Sequence, residues 1–596
     1  MKDLLLGRNI YDGRSYFVDP KTRTTHMHII GSSGEGKSKF MEHMIRHDII
    51  NNNGLCLVDP HGYLYNDLVK WCETQGMTDR KKIILFDPLA KGWSFGFNPL
   101  KINNQEHLSF LVDAMVRSCA KVWGGEDTDK TPLLKRCLRI LFHVLAEKNL
   151  SLLDSHLIIN HKDIRHYLTK DISDPIFREQ WQTFNSYSAK DFDDKFSSTI
   201  NRLMEFLSSD TIRLIIGQLK DTIDFRKIMD EGYILLCNLA SKQELSRDNG
   251  RLLGALIVND LFVNALGRPE KSRPFYLYVD ECALFINEDV KFILDEGRKF
   301  GLHLILAHQH LSQLKKGGED IYSAVMTDAK TKVVFGGLSA EDARILAEQM
   351  FLGELDLEEA KRSLNKPVVT GYISTWLKNH SNSSGSSSGT SKSSSRGDSS
   401  FSSSGGSESA RGTHQLWSEE YPIITTSEGK GTSSSYSEGE GSFESYSESY
   451  SEGESEALMP VLEEKPSQVF SLEEQIYKAM ALMVNQPTQH AIMKLPKKPT
   501  VLVKAPTVKP GYANNQRLER FKESHYKLYN FCKPASEAKK EIEIREMEIR
   551  KQIELLKEPK EEPTDFKTQG RPREEQPEEI SDFIKAPGRK RKITKL

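Results

Sequence analysis

The chain has 596 residues, with 82 Lys+Arg against 84 Asp+Glu and a formal net charge of −2; this length allows roughly three or four domains. Near-balanced charge excludes a global field that would commit the chain to nucleic acid or membrane, so any polyanion contact must come from local patches. Its 7 cysteines include no C-x-x-C pair and suit a reducing cytosol, and no apolar run approaches the ~18–20 residues of a spanning helix. The expectation is a cytoplasmic protein, free or peripheral at a membrane complex, without an integral membrane segment.

Met27–Ile30 reads as a strand, and Lys37–Ile50 as a helix with Phe40, Met44 and Ile45 at helical spacing. Between them Gly31-Ser32-Ser33-Gly34-Glu35-Gly36-Lys37-Ser38 fits G-x-x-x-x-G-K-[ST], the P-loop. Small residues let successive backbone N–H groups curl around a phosphate chain. Lys37 reaches the β and γ phosphates, the Ser38 hydroxyl is a Mg²⁺ ligand, and the helix dipole points at the phosphates. ATP and Mg²⁺ are the cofactors this predicts.

Further short strands run from Gly54 to Asp59-Pro60-His61-Gly62 and over Lys82–Phe86 to Asp87-Pro88. Alternation with helices argues for a parallel α/β sheet, whose ligands bind at the strands' carboxyl ends. Asp59, His61 and Asp87 are therefore expected near the nucleotide, with turn chemistry as their alternative. From Lys101 to Asp221 almost nothing reads as strand. The stripes Leu108, Leu111, Val112, Met115, Cys119 and Leu134, Cys137, Leu138, Leu141, Leu145 predict an all-helical insertion. The strand pattern returns at Gly232 and again at Phe275-Tyr-Leu-Tyr-Val-Asp280-Glu281. After a P-loop, a strand ending in Asp-Glu reads as a Mg²⁺ holder, Asp280, and a water-polarising base, Glu281. Strand His303–Ala307 ends in His308-Gln309, where an amide senses the γ-phosphate or orients water. Arg298 is either a charge donor from an adjacent subunit or a solvated surface residue.

Residues 379–457 are dominated by Ser, Gly and Glu and are expected to be disordered. Order is expected to return over 458–512, through the stripe Leu472, Ile476, Met480, Met483 and short strands at Ala491–Lys494 and Val501–Lys504. The last segment, 513–596, reads as charged helix, with Ile542, Ile549, Ile553 and Leu556 as an apolar seam. It ends in a basic cluster from Gly588, which is a contact for nucleic acid or an acidic partner, or else a solvated tail.

The ordered landmarks His26–Ser38, Val58–Gly62, Phe97–Leu100, Tyr278–Glu281, Glu296–Gly301 and Leu306–Gln309 resemble the HerA–FtsK superfamily of P-loop ATPases. Within it they look like type IV secretion coupling proteins of the TraG/TraD kind and their soluble HerA-like relatives. The resemblance spans about 20–377 and resumes near 468–510. It implies an α/β RecA-like sheet (1–100 and 223–378) split by an all-α domain (101–222), in a homo-hexamer that translocates DNA. It also gives Lys37 and Ser38 phosphate and Mg²⁺, Asp280 and Glu281 the holder and base roles, Gln309 the sensor position and Arg298 the trans-acting arginine. A conjugative DNA motor working with a relaxase or secretion channel is the leading expectation. A secretion ATPase acting on polypeptides and a nucleotide-controlled assembly platform are the alternatives.

Overall fold

Seven apolar runs, each buried from end to end, build the centre of the molecule: β3 (Met27–Ile30), β4 (Gly54–Asp59), β5 (Ile83–Phe86), β7 (Ile234–Asn238), β8 (Phe275–Val279), β9 (Leu302–His308) and β10 (Thr331–Phe335). Unalternating burial is what parallel strands show when helices cover both faces. The computed structural model describes residues 2–354 apart from 78–81, 103–107, 125–131, 221–222, 243 and 287–288; strand segments between 365 and 466; and 471–557 apart from 529–530. These seven strands pair in parallel in the order β10-β3-β9-β8-β4-β7-β5.

Four antiparallel strands extend the β10 side: β18 (His490–Lys494), β19 (Val501–Lys504), β1 (Leu4–Asn9) and β2 (Ser15–Val18). The β1–β2 hairpin has no counterpart in the sequence expectations. Its apolar patch is too short to declare a period, and only the docked register shows Leu4 and Leu6 fully buried.

Chain direction sets the layers. From β3 through β4 to β5 the connections run one way along the sheet, and from β7 through β8 and β9 to β10 they run back. Right-handed crossovers send opposite directions to opposite faces. Helices Lys37–Ile50 and Tyr63–Thr74 accordingly pack together, while Asp289–Glu296 packs on Glu319–Asp328. No helix among the described residues is long and apolar enough to cross a membrane.

The described residues between β6 (Trp93–Phe95) and β7 hold helices and no strand. Leu111, Val112, Met115 and Cys119 of the first stripe are buried, and an aromatic group of Trp181, Phe184, Phe192 and Phe196 fills the interior, with Phe192 stacked on Phe196 at 4.5 Å. Beyond the main sheet, β11 (Asn365–Gly389) pairs antiparallel with β17 (Phe443–Pro466). Within the span 379–457 the described segments are short pieces of paired backbone. Here β12 (Ser399–Ser403) pairs with β16 (Gly429–Ser433), β13 (Thr413–Leu416) with β14 (Glu419–Pro422), and β15 (Ile424–Ser427) with β17. Residues 390–398, 404–412 and 434–442 of that span lie outside the described residues.

Helix Leu472–Val484 follows, capped by Ser471 and burying Met483. The charged C-terminal segment is docked rather than loose. Helix Asn515–Leu528 packs on β5, β20 (Cys532–Pro534) pairs antiparallel with β6, and helix Ala535–Lys557 lies along the helical region. Ile542 and Ile549 pack on the core, whereas the side chains of Ile553 and Leu556 and the basic cluster from Gly588 lie outside the described residues.

Candidate nucleotide site

β3 delivers the chain to the loop and helix Lys37–Ile50 takes it away, with Gly36 at φ +116° as the helix N-cap. An L-residue with a side chain rarely adopts that conformation, so the turn into the helix is glycine's. Gly31 and Ser32 underlie the loop, and their carbonyl oxygens accept from Lys37 Nζ at 2.5 and 2.9 Å. Burial lowers the Lys37 pKa, against the pull of Glu281, Asp280 and Glu35. The loop is braced from outside: Ser32 N–H donates to Gly336 O, and Gln489 N–H donates to Glu35 O at 3.0 Å. Ser33, Gly34, Gly36, Lys37 and Ser38 line a cavity of about 350 Å³.

β9 lies between β3 and β8, so the ends of three adjacent strands meet at that cavity. Asp280 follows β8, and its N–H donates to Val58 O at 3.2 Å. Burial, then the Asp59 and Glu281 carboxylates, push the Asp280 pKa up to about 7. Glu281 holds a left-handed backbone at φ +46°, and its Oε1 accepts from Gln309 Nε2 at 2.6 Å. Asp280, Glu281 and Gln309 all line the cavity with the loop.

Asp59 and His61 line it too, from the end of β4. Asp59 is 1% exposed and accepts N–H bonds from His61, Gly62 and Tyr65, each at 2.9 Å. Its carboxylate therefore fixes the loop that walls the cavity, though burial still raises its pKa. Asp87 does not reach the site. It sits at the end of edge strand β5, accepting from Leu89 N–H at 3.1 Å, which is the turn role.

Arg298 is likewise absent from its own chain's cavity. It is exposed in the turn before β9, whereas Gln309 follows that strand's other end, about 20 Å away at ~3.3 Å per residue. Sequence reasoning missed Lys39, Tyr63 and Leu64, which complete the lining; Tyr63 and Leu64 directly follow the Asp-Pro-His-Gly turn, the one available signal.

The carboxylates Asp59, Asp280 and Glu281 share this cavity with two ammonium groups, of which Lys39 is already paired with Glu42 and Asp67, an imbalance that suits a divalent cation. No group of three or more His, Cys, Asp or Glu among the described residues forms a metal cage. Mg²⁺ needs none, since one or two carboxylates plus substrate phosphates satisfy it. A P-loop, an acidic strand end and a polar strand end between them on a mostly parallel sheet define a P-loop nucleoside triphosphatase of RecA-like fold.

Residues 17–367 match the sequence profile of the type IV secretion-system coupling protein DNA-binding domain, and the chain belongs to that family. Among solved structures it resembles the bacterial conjugative coupling protein TrwBdeltaN70, in an unbound form, at 14% identity over 83% of this chain and 87% of that one, TM-score 0.46. Plasmid coupling protein TrwB with ADP and Mg²⁺ gives 14% over 87% and 97%, TM-score 0.46. VirB4 of Thermoanaerobacter pseudethanolicus gives 14% over 60% and 89%, TM-score 0.40. No curated protein matched.

Proposed function

We propose that the protein is an ATP-hydrolysing motor that translocates DNA for a conjugative or mobile element. The observation that carries this reading is the Gln309–Glu281 hydrogen bond beside Asp280 and Lys37 in one cavity. A module that only bound nucleotide would have no need of a positioned base.

In this reading the backbone N–H groups of Ser33–Ser38 cradle the phosphates. Lys37 leaves the Gly31 and Ser32 carbonyls to meet the β and γ phosphate oxygens, and the Ser38 hydroxyl and Asp280 hold Mg²⁺. Mg²⁺ held there would supply positive charge to offset the negative charge that develops on the phosphate in the reaction. Glu281 accepts a proton from the attacking water, and Gln309 shifts from Glu281 to the γ-phosphate. Arg298 serves a neighbouring copy, which fits its exposed place at the sheet's far edge. Such sharing suits a ring, with a homo-hexamer expected. DNA is held mainly through phosphates, which gives steep salt dependence and little sequence preference.

The test is ATPase activity of the full chain with and without DNA. Stimulation by DNA, with loss of about 10²-fold or more in Glu281→Gln and retained ATP binding, is the expected outcome. Hydrolysis indifferent to DNA would favour a polypeptide cargo or an assembly platform instead.

A further inference from the structure

The carboxyl edge of the sheet carries a second crevice that nucleotide chemistry does not use. At the β4–β7 neighbours the connections leave to opposite faces of the sheet, that from β4 crossing β7 to reach β5 and that from β7 crossing β4 to reach β8. Divergence of this kind opens a ligand crevice outside the strand ends. A cavity of about 320 Å³ occupies it, walled by Pro60, His61 and Tyr63 after β4, by Arg247 and Arg251 on helix Arg247–Leu266, and by Phe285. Phe285 is 2% exposed and presses on the helix at Gly254, where a Cβ would lie 2.3 Å from its ring.

The lining carries two arginines and a histidine and no carboxylate. Arg247 is exposed and has no ion pair or hydrogen bond among the described residues. Among the described residues Arg251 pairs with Asp248, at 3.4 Å and itself 72% exposed, and its Nε is buried without a hydrogen-bond partner. Two guanidinium groups four residues apart on one helix face the same side, and among the described residues they share a single carboxylate partner, the exposed Asp248 on Arg251. Beside them Tyr63 is 78% exposed, offering an aromatic face that a small inorganic anion cannot use and a nucleobase can, since each base–aromatic stack is worth ~1–3 kcal/mol.

We infer that this crevice binds single-stranded DNA, with Arg247 and Arg251 on successive phosphates and Tyr63 stacked on a base. The inference rests on the DNA-motor reading and gives that reading a location. It also couples the two sites. His61 and Tyr63 line both cavities, and Asp59 holds their loop by three N–H bonds. A strand gripped on one side of the loop therefore bears on the wall of the nucleotide cavity.

The experiment measures binding of fluorescein-labelled oligothymidine to the full chain over a salt series, for wild type and the double variant Arg247→Ala/Arg251→Ala. Both residues lie outside the nucleotide cavity, so DNA-free ATPase activity should be unchanged. Affinity should fall at least ~10-fold, and the slope of log K against log salt by about 1.4, two contacts at ~0.7 each. Wild-type affinity and slope in the variant would overturn the site while leaving the motor reading intact. Wild type that binds no DNA at any salt would remove both. Competition by inorganic phosphate as strong as by unlabelled DNA would reassign the crevice to a free anion. Tighter binding of duplex, lost equally in the variant, would overturn the single-strand assignment. Loss of self-association in sedimentation alongside loss of DNA would overturn it in favour of a contact between copies.

Discussion

Glu281 combines two costs that only function repays: a left-handed backbone, worth ~1–3 kcal/mol in a non-glycine residue, and a carboxylate beside buried Asp280. Its bond from Gln309 predicts that Gln309→Ala slows turnover by about 10–10²-fold while ATP affinity changes little, because orientation of the base is lost and the phosphate cradle is untouched. Four histidines on β3 and β9, or just before β3, make a second prediction. Burial lowers the pKa of His26 and His308 to about 4, of His303 to about 3, and of His28 well below its usual value. In the unfolded chain these rings take up protons near pH 6.5, and in the fold they do not. Stability is therefore full above that pH and falls below it, by about 1.4 kcal/mol per pH unit for each ring. Thermal midpoints should drop from pH 7 to pH 5, less steeply in His303→Gln; a flat profile would refute the argument.

His28 and His308 show where legibility in the sequence ends. Their Nε2 atoms lie 2.6 Å apart and the rings stack at 4.8 Å. His308 Nδ1 faces His310 O at 2.9 Å and so carries the hydrogen, which leaves its Nε2 to accept from His28. Nothing local marks two histidines distant in sequence as partners. That Lys37, Asp280 and Glu281 share one cavity is legible, because the P-loop pattern fixes the helix start after β3 and an apolar run ending in Asp-Glu fixes the end of β8. Asp87 takes the turn reading that the sequence also offered: its Asp-Pro resembles that after β4, but β5 is the sheet edge.

At the scale of elements, the β4 loop depends on Gly62, at φ +75°, where a Cβ would stand 2.5 Å from Asn238 Oδ1. Gly62→Ala should cost about 1–3 kcal/mol in unfolding free energy and weaken ATP binding as Asp59 loses its turn. The C-terminal helix depends on Arg545, which donates to Asp154 Oδ1 at 2.9 Å and to the Gly217 carbonyl. Asp154 is 2% exposed, so Arg545→Ala strips a charge partner from a buried carboxylate. The expected loss is about 1–3 kcal/mol by chemical denaturation, smaller on an Asp154→Asn background. Central strands were legible as unbroken apolar runs. Docking of 515–557 was not, because its apolar contacts, from Leu518, Phe521 and Tyr526 to Ile542 and Ile549, are spread thinly through a highly charged stretch and its ladder with β6 is three residues long.

At the scale of the whole molecule, one chain brings Lys37, Ser38, Asp280, Glu281 and Gln309 to one cavity but holds Arg298 at the other end of β9. Mixing Arg298→Ala with Lys37→Ala subunits should restore part of the ATPase activity that each lacks alone, since a mixed pair of neighbours contains one intact shared site. In the proposed function, hydrolysis at the Lys37–Glu281 site moves the protein along DNA. Displacement of streptavidin from a biotinylated DNA end measures that directly. Wild type with ATP should displace it, and neither Glu281→Gln nor wild type with a non-hydrolysable analogue should. Brisk ATP hydrolysis in the presence of DNA, with streptavidin left in place, would contradict that function.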